Sequence, residues 1–165
     1  MPNHFRTAYL ADHPDLIPAI AAWLYAEWGH TYPDGSPRHA EEALLERCQR
    51  GRLPLALVGF AGHEPMSTAS LKIRELETHP HLEHWLGTVF VLPHYRRQGY
   101  GAKIVQAAEH EARLLGLEQL YLYTRHSETF YADLGWESIE RPMYRNRPAI
   151  IMQRMLNPTR DERQG

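Results

Sequence analysis

Between Val89 and Ala102 the chain reads Val-Phe-Val-Leu-Pro-His-Tyr-Arg-Arg-Gln-Gly-Tyr-Gly-Ala, an apolar run closed by proline and followed by paired glycines that open a helical pattern. A strand that ends in such a turn leaves backbone donors unpaired. The N–H groups of Gln98, Gly99, Tyr100, Gly101 and Ala102 are expected to converge at the positive end of the next helix, an arrangement that suits a pyrophosphate. Glycine there lets backbone and phosphate approach closely. Other phosphate loops differ in spacing. A P-loop needs four residues between its glycines and then Lys and Ser or Thr, whereas this chain has Gly99-Tyr100-Gly101-Ala102-Lys103. A dinucleotide fingerprint needs a third glycine three positions after Gly101, where Ile104 stands.

A second segment, Phe130-Tyr131-x-x-x-Gly135-Trp136, follows downstream. The two segments in this order resemble the GNAT superfamily of acetyltransferases. Arg96-x-x-Gly99-x-Gly101 matches the family's Arg/Gln-x-x-Gly-x-Gly/Ala signature, and the second segment is similar to its Phe-Tyr-x-x-x-Gly-Phe stretch. The resemblance implies acetyl-CoA as acetyl donor, with the backbone of Val89 to Val91 along the pantetheine arm. It places Arg96, Arg97, Gln98, Gly99, Tyr100, Gly101 and Ala102 around the pyrophosphate. It also implies a bulge that splays this strand from its neighbour, and Tyr131 as general acid toward the CoA sulfur.

Acetyl transfer to an amine needs three things: a deprotonated nitrogen, a polarised thioester carbonyl and a stabilised leaving thiolate. The Val91 N–H is the candidate carbonyl donor. Relatives carry a glutamate base near the position of Gly87, an assignment that fails in this chain. Glu75, Glu77, Glu83 and His84 are then the candidates, with Glu83 and His84 preferred because they directly precede the strand. The expected reaction is direct attack by a primary amine, of a small molecule or a peptide, within a ternary complex. Two alternatives belong to other classes: a degenerate relative that binds CoA without turnover, and a nucleotide-phosphate binder that prefers ATP or NAD.

Acceptor recognition is expected from Trp28 and Tyr32, in the segment Trp28 to Pro37, and from Tyr144 and Arg145, between Arg141 and Pro148. Arg141, Arg145 and Arg147 would favour an acceptor carrying an acidic group beside its amine. No metal is assigned: His79-x-His81-x-x-His84 has no expected rigid support, and Cys48 falls on a helix face patterned for burial.

The elements that must position these residues are read from periodicity. His4 to Leu10 is a first strand, and Asp12-His13-Pro14 offers a cap for a helix ended by Gly29. His30 to Gly35 is turn chemistry, and Ser36-Pro37 then caps a second helix running to about Arg50. Pro54 to Ala61 and Met66 to Ile73 form a hairpin, and Trp85 to Leu92 is a buried strand. Gly101 to Leu115 is a helix stopped by Gly116; Leu120 to Thr124 is a strand; Ser127 caps a short helix ended by Gly135. Trp136 to Arg145 and Ala149 to Leu156 close the pattern as paired strands. The order β-α-α-β-β-β-α-β-α-β-β implies an α/β fold, a central mixed sheet with helices on both faces.

One domain over residues 1–156 and a polar tail over 157–165 follow from the length. With 18 Lys and Arg against 20 Asp and Glu there is no global positive field for nucleic acid. No apolar run approaches a membrane span and no secretory pattern opens the chain, so the cytoplasm is the expected location. Oligomeric state is not read from the sequence.

Overall fold

The computed structural model describes residues 4–32 and 35–157. Within the turn expected from His30 to Gly35, Pro33 and Asp34 lie outside the described residues, as does the tail from Pro158 on.

In chain order the elements are β1 (Phe5–Tyr9), α1 (Ile17–Trp28), α2 (Arg38–Glu46), β2 (Leu55–Ala61), β3 (Glu64–Ile73) and β4 (His84–Val91). There follow α3 (Tyr100–Leu114), β5 (Gln119–Thr124), α4 (Glu128–Asp133), β6 (Glu137–Glu140), β7 (Met143–Tyr144), β8 (Arg147–Pro148) and β9 (Ile150–Met155). Seven strands share one sheet in the order β1-β2-β3-β4-β5-β9-β6, and β7 and β8 form a separate ribbon. The sheet is mixed: β4 and β5 run parallel, while β1–β2, β2–β3, β5–β9 and β6–β9 are antiparallel. The described residues fall into two compact units, one up to Leu71 together with Thr88–Ala108, the other Lys72–Gly87 together with the residues from Glu109 on.

In the first unit β2 is buried along its whole length, which explains why it reads as a continuous apolar run rather than an alternating one. Successive side chains point to opposite faces. Ala56, Val58 and Phe60 meet Ile17, Ile20 and Leu24 of α1 and Ala40 and Leu44 of α2. Ala61 joins Met66 and Val91 in a separate cluster, rimmed by Phe5, Tyr95 and Tyr100 at the start of α3. Each fully buried leucine or isoleucine here contributes about 2 kcal/mol.

Two expected caps of the first unit are not used. The chain makes two 3₁₀ turns, Leu10–Asp12 and Pro14–Leu16, before α1 begins at Ile17 without a side-chain cap. Asp12 instead accepts from Arg50. Pro18 lacks an N–H, so the first turn of α1 has one donor fewer to satisfy. Pro37, not Ser36, occupies the cap position of α2, again without a side-chain bond. That helix stops at Glu46 rather than Arg50, because Arg47 leaves helical geometry and its carbonyl accepts from Ala56 N–H at 3.1 Å.

In the second unit Leu76, Trp85, Tyr121, Tyr144, Ala149 and Ile151 form the core. The strand expected over 136–145 is broken. β6 ends at Glu140, Pro142 cannot donate to a ladder, and the chain turns through Arg145 and Asn146, both with positive φ (51° and 64°), to form β7 and β8. Ser127 precedes α4 without a side-chain cap; its own N–H donates to Thr124 Oγ1 at 3.0 Å. Gly135 (φ 100°) ends α4 in a left-handed cap, with Trp136 N–H to Tyr131 O and Gly135 N–H to Ala132 O, both at 3.0 Å.

Candidate functional site

The loop leaving β4 belongs to the first unit. Leu92 N–H bonds Met66 O at 2.9 Å, and a 3₁₀ turn over Pro93–Tyr95 follows. Arg97 (φ 63°) and Gly99 (φ 89°) are left-handed, and the first helical bond runs from Lys103 N–H to Gly99 O at 3.2 Å. Among the described residues, the amides of residues 97–102 donate to no protein acceptor. Left-handed residues alternating with others turn successive N–H groups toward one concavity, a nest for an anion. Arg97 holds this conformation at a strain cost of about 1–3 kcal/mol, and glycine at 99 avoids that cost.

The side chains around the loop have different tasks. Arg96 Nε donates to Val91 O at 2.8 Å, its Nη2 donates to Glu27 at 3.1 Å, and its guanidinium lies 5.2 Å from the Phe90 ring centroid. It braces the strand end against α1. Arg97 is exposed and has no partner among the described residues. Gln98 closes the turn through its side-chain amide to His94 O at 3.0 Å. Tyr100 stacks on Phe5 and meets Tyr95 edge-on, while the Tyr95 hydroxyl donates to Glu64.

β4 is kinked. Thr88, a β-branched residue, sits at φ 51°, a genuine outlier inside a strand. Its hydroxyl accepts from Arg47 Nη1 at 3.3 Å, which also reaches Ser70 Oγ at 3.1 Å. The registered pairing of β4 with β5 is confined to Trp85 and Tyr121. Trp28 packs edge-on against Phe90 and belongs to the core fringe. Tyr32 lies against Tyr25 and His39, and burial pushes its hydroxyl pKa up.

In the second unit Tyr131 is buried on α4 between Phe130 and Trp136, and burial pushes its pKa up to about 12. Its hydroxyl has no hydrogen-bond partner among the described residues. A phenol so placed holds its proton at neutral pH. Glu83 is 54% exposed and stands 3.9 Å from Arg74 and 3.7 Å from His84, at the entry to β4. The Tyr144 hydroxyl donates to Glu77 at 2.8 Å, and burial with that carboxylate pushes its pKa up to about 12. Arg145 is stacked on Tyr144 and stands 3.6 Å from Glu77, while Arg141 pairs with Glu128 at 2.6 Å. His79 is held by Glu140 at 2.6 Å and by Thr78 at 2.8 Å.

A model of the Acetyltransferase (GNAT) family matches residues 17–136. The chain belongs to this family. Solved structures similar to this GNAT chain include aminoglycoside 6'-N-acetyltransferase complexed with coenzyme A, with a TM-score of 0.74 at 17% identity over 93% of this chain and 98% of that one. The aminoglycoside 6'-N-acetyltransferase from Enterococcus faecium gives 0.71 at 17% identity, over 93% and 98%. The ribosomal-protein-S18-alanine N-acetyltransferase from Escherichia coli gives 0.66 at 22%, over 93% and 95%. At these identities the likeness concerns the fold. No curated protein sequence matches the chain significantly. Among the described residues no helix is long and apolar enough to cross a membrane.

Within each unit the GNAT motif residues are brought together unevenly. The amides of residues 97–102 have no protein acceptor among the described residues, and Arg96 donates to Val91 O and to Glu27. Glu83 and His84 adjoin each other, as do Tyr144 and Arg145. Sequence reasoning missed Arg47 and Arg125. The latter donates to the carbonyls of Tyr144, Arg147 and Pro148 at 3.0–3.2 Å and so pins the β7–β8 ribbon. Glu109, inside α3, was missed too, although a carboxylate among Ala108, Ala112 and Val105 is a readable sign of an internal partner.

Proposed function

We propose that this GNAT protein transfers the acetyl group of acetyl-CoA to a primary amine of a small molecule or peptide, by direct attack within a ternary complex. The observation that carries this reading is the run of unpartnered amides over residues 97–102, in a backbone bent by Arg97 and Gly99. A diphosphate accepts from such amides without any side chain having to be ordered. Bound acetyl-CoA supplies the activated thioester. Val89 and Val91 offer backbone to the pantetheine arm, the Val91 N–H polarises the carbonyl, and Arg97 adds charge at the phosphates. Tyr131, protonated up to about pH 12, gives its proton to the departing sulfur.

For the acceptor, neighbours named for aminoglycosides and for a ribosomal-protein alanine support both amine classes. An acidic group beside the amine would meet Arg147 or Arg145 rather than Arg141, whose guanidinium is taken by Glu128. Calorimetric titration with CoA, ATP and NAD, followed by thiol release from acetyl-CoA over aminoglycosides, polyamines, amino acids and peptide N-termini, tests the reading. Acceptor-dependent release is expected. Tight CoA binding with no such release would make the protein a CoA-binding sensor, and tighter ATP or NAD binding would overturn the coenzyme assignment.

A further inference from the structure

The segment Val89–Val91, which the reading above sets along the pantetheine arm, is fastened from within the first unit. Phe90 in its middle is 6% exposed and packs on Trp23 and Trp28 of α1. At its far end Arg96 Nε donates to Val91 O at 2.8 Å. At its near end stands Thr88, whose φ of 51° is a conformation that L side chains, β-branched ones above all, rarely adopt. Such backbone persists only where the surroundings over-determine it.

Arg47 is what Thr88 meets. It follows α2, and its carbonyl accepts from Ala56 N–H of β2 at 3.1 Å. Ala56 lies opposite Ser70 of β3 in the sheet register. The half-buried Arg47 side chain reaches that same Ser70, Nη1 to Oγ at 3.1 Å, and also Thr88 Oγ1 of β4 at 3.3 Å. One nitrogen with two hydrogens serves both hydroxyls. A single residue is thus bonded to β2, β3 and β4, which are neighbours in the sheet. Ser70 is fully buried, and a guanidinium keeps its charge at any working pH, so the anchor is a lasting one.

We propose that Arg47 is a positioning residue for the coenzyme: its bond to Thr88 holds the bend that sets the course of Val89–Val91. The assignment rests on the acetyl-CoA reading above. A hydrogen bond from a charged donor is of the size that offsets the strain of a threonine in the left-handed region. Without that bond the residue relaxes toward extended backbone. The peptide planes that follow then rotate, and the amides of Val89 and Val91 rotate with them. Arg47 acts through the backbone of β4 rather than on the thioester.

Calorimetric titration with CoA, together with hydrogen exchange of the backbone amides, tests the assignment on the full chain. Arg47→Ala should weaken CoA binding about 10-fold and speed exchange at residues 88–91, while α3 keeps its protection. Thr88→Val keeps the branched shape without the hydroxyl and should do the same, which also serves if Arg47→Ala proves unstable. The double variant Arg47→Ala/Thr88→Val should bind no more weakly than either single variant. Glycine adopts φ 51° at no side-chain cost, so Arg47→Ala/Thr88→Gly should regain about three-fold in CoA affinity over Arg47→Ala. An arginine that merely fastens α2 to the sheet would lower stability and leave nothing for position 88 to recover. The assignment is overturned if Arg47→Ala and Thr88→Val bind CoA within about two-fold of the wild type, or if their losses add in the double variant. A wild type that binds no CoA refutes the coenzyme reading, whereas unchanged exchange at 88–91 in Arg47→Ala refutes the clamp, so the two failures are told apart.

Discussion

Replacing Trp136 by phenylalanine tests how the Phe-Tyr-x-x-x-Gly-Trp segment is held. The indole N–H donates to Glu109 at 2.9 Å, and Glu109 is 3% exposed. The other groups near this carboxylate, Arg154 at 3.6 Å and Arg113 at 3.9 Å, stand at ion-pair rather than hydrogen-bond distance. Among the described residues the indole therefore supplies its hydrogen bond alone. A bond to a buried charge contributes about 1.5–3 kcal/mol, and the lost ring volume adds about 1 kcal/mol. The sum, about 3 kcal/mol, corresponds to a fall in Tm of roughly 6–12 °C for a chain of this size. Calorimetry and urea titration measure it, and a double-mutant cycle with Glu109→Gln should return a coupling of about 2 kcal/mol. Additive single effects, or a Trp136→Phe cost below about 0.5 kcal/mol, would refute the claim that the indole holds the buried carboxylate.

Gly99→Ala meets no atom within 4 Å of its new Cβ, so its cost comes from φ 89° alone: about 1 kcal/mol of stability and a several-fold loss of CoA affinity, read by thermal shift and calorimetric titration. Tyr131 and Tyr144 are both held protonated to about 12 against an ordinary 10. Their contribution is complete below pH 10 and is lost as pH rises from 10 to about 12, so stability should fall over that window, and less steeply in Tyr131→Phe. Arg96→Ala should lower Tm and weaken CoA binding together, whereas Arg97→Ala should weaken binding with little change in Tm; equal thermal effects would overturn this division.

What was legible in the sequence is what depends on neighbours along the chain. α3 and its end at Gly116, the β2–β3 hairpin and the glycine turn all follow from local spacing and backbone rules. Long-range partners changed the rest. Asp12 has the chemistry of a cap, yet Arg50 takes its carboxylate. Glu83 adjoins β4, but adjacency does not measure shelter: its side chain is 54% exposed, against 22% for Glu75. The break at Pro142 was readable in principle, since a proline cannot sit inside a paired strand. The kink at Thr88 was not, because nothing in a threonine's chemistry asks for positive φ.

Arg96 shows that a motif residue can carry a structural bond. β4 ends at Val91 and the chain turns through Pro93–Tyr95, and the Val91 carbonyl accepts from the Arg96 side chain. A carbonyl in that position needs a donor, and a guanidinium offers one while its other nitrogen reaches Glu27 on α1. Fixing this strand end fixes where Arg97 and Gly99 bend, and so where the free amides point. Donors supplied by the backbone lose no side-chain freedom when an anion arrives, whereas an arginine reaching for the same phosphate would give up about 2 kcal/mol of rotamer entropy. The Arg96 side chain is thus committed to the strand end and to α1, whereas Arg97 is exposed and has no partner among the described residues.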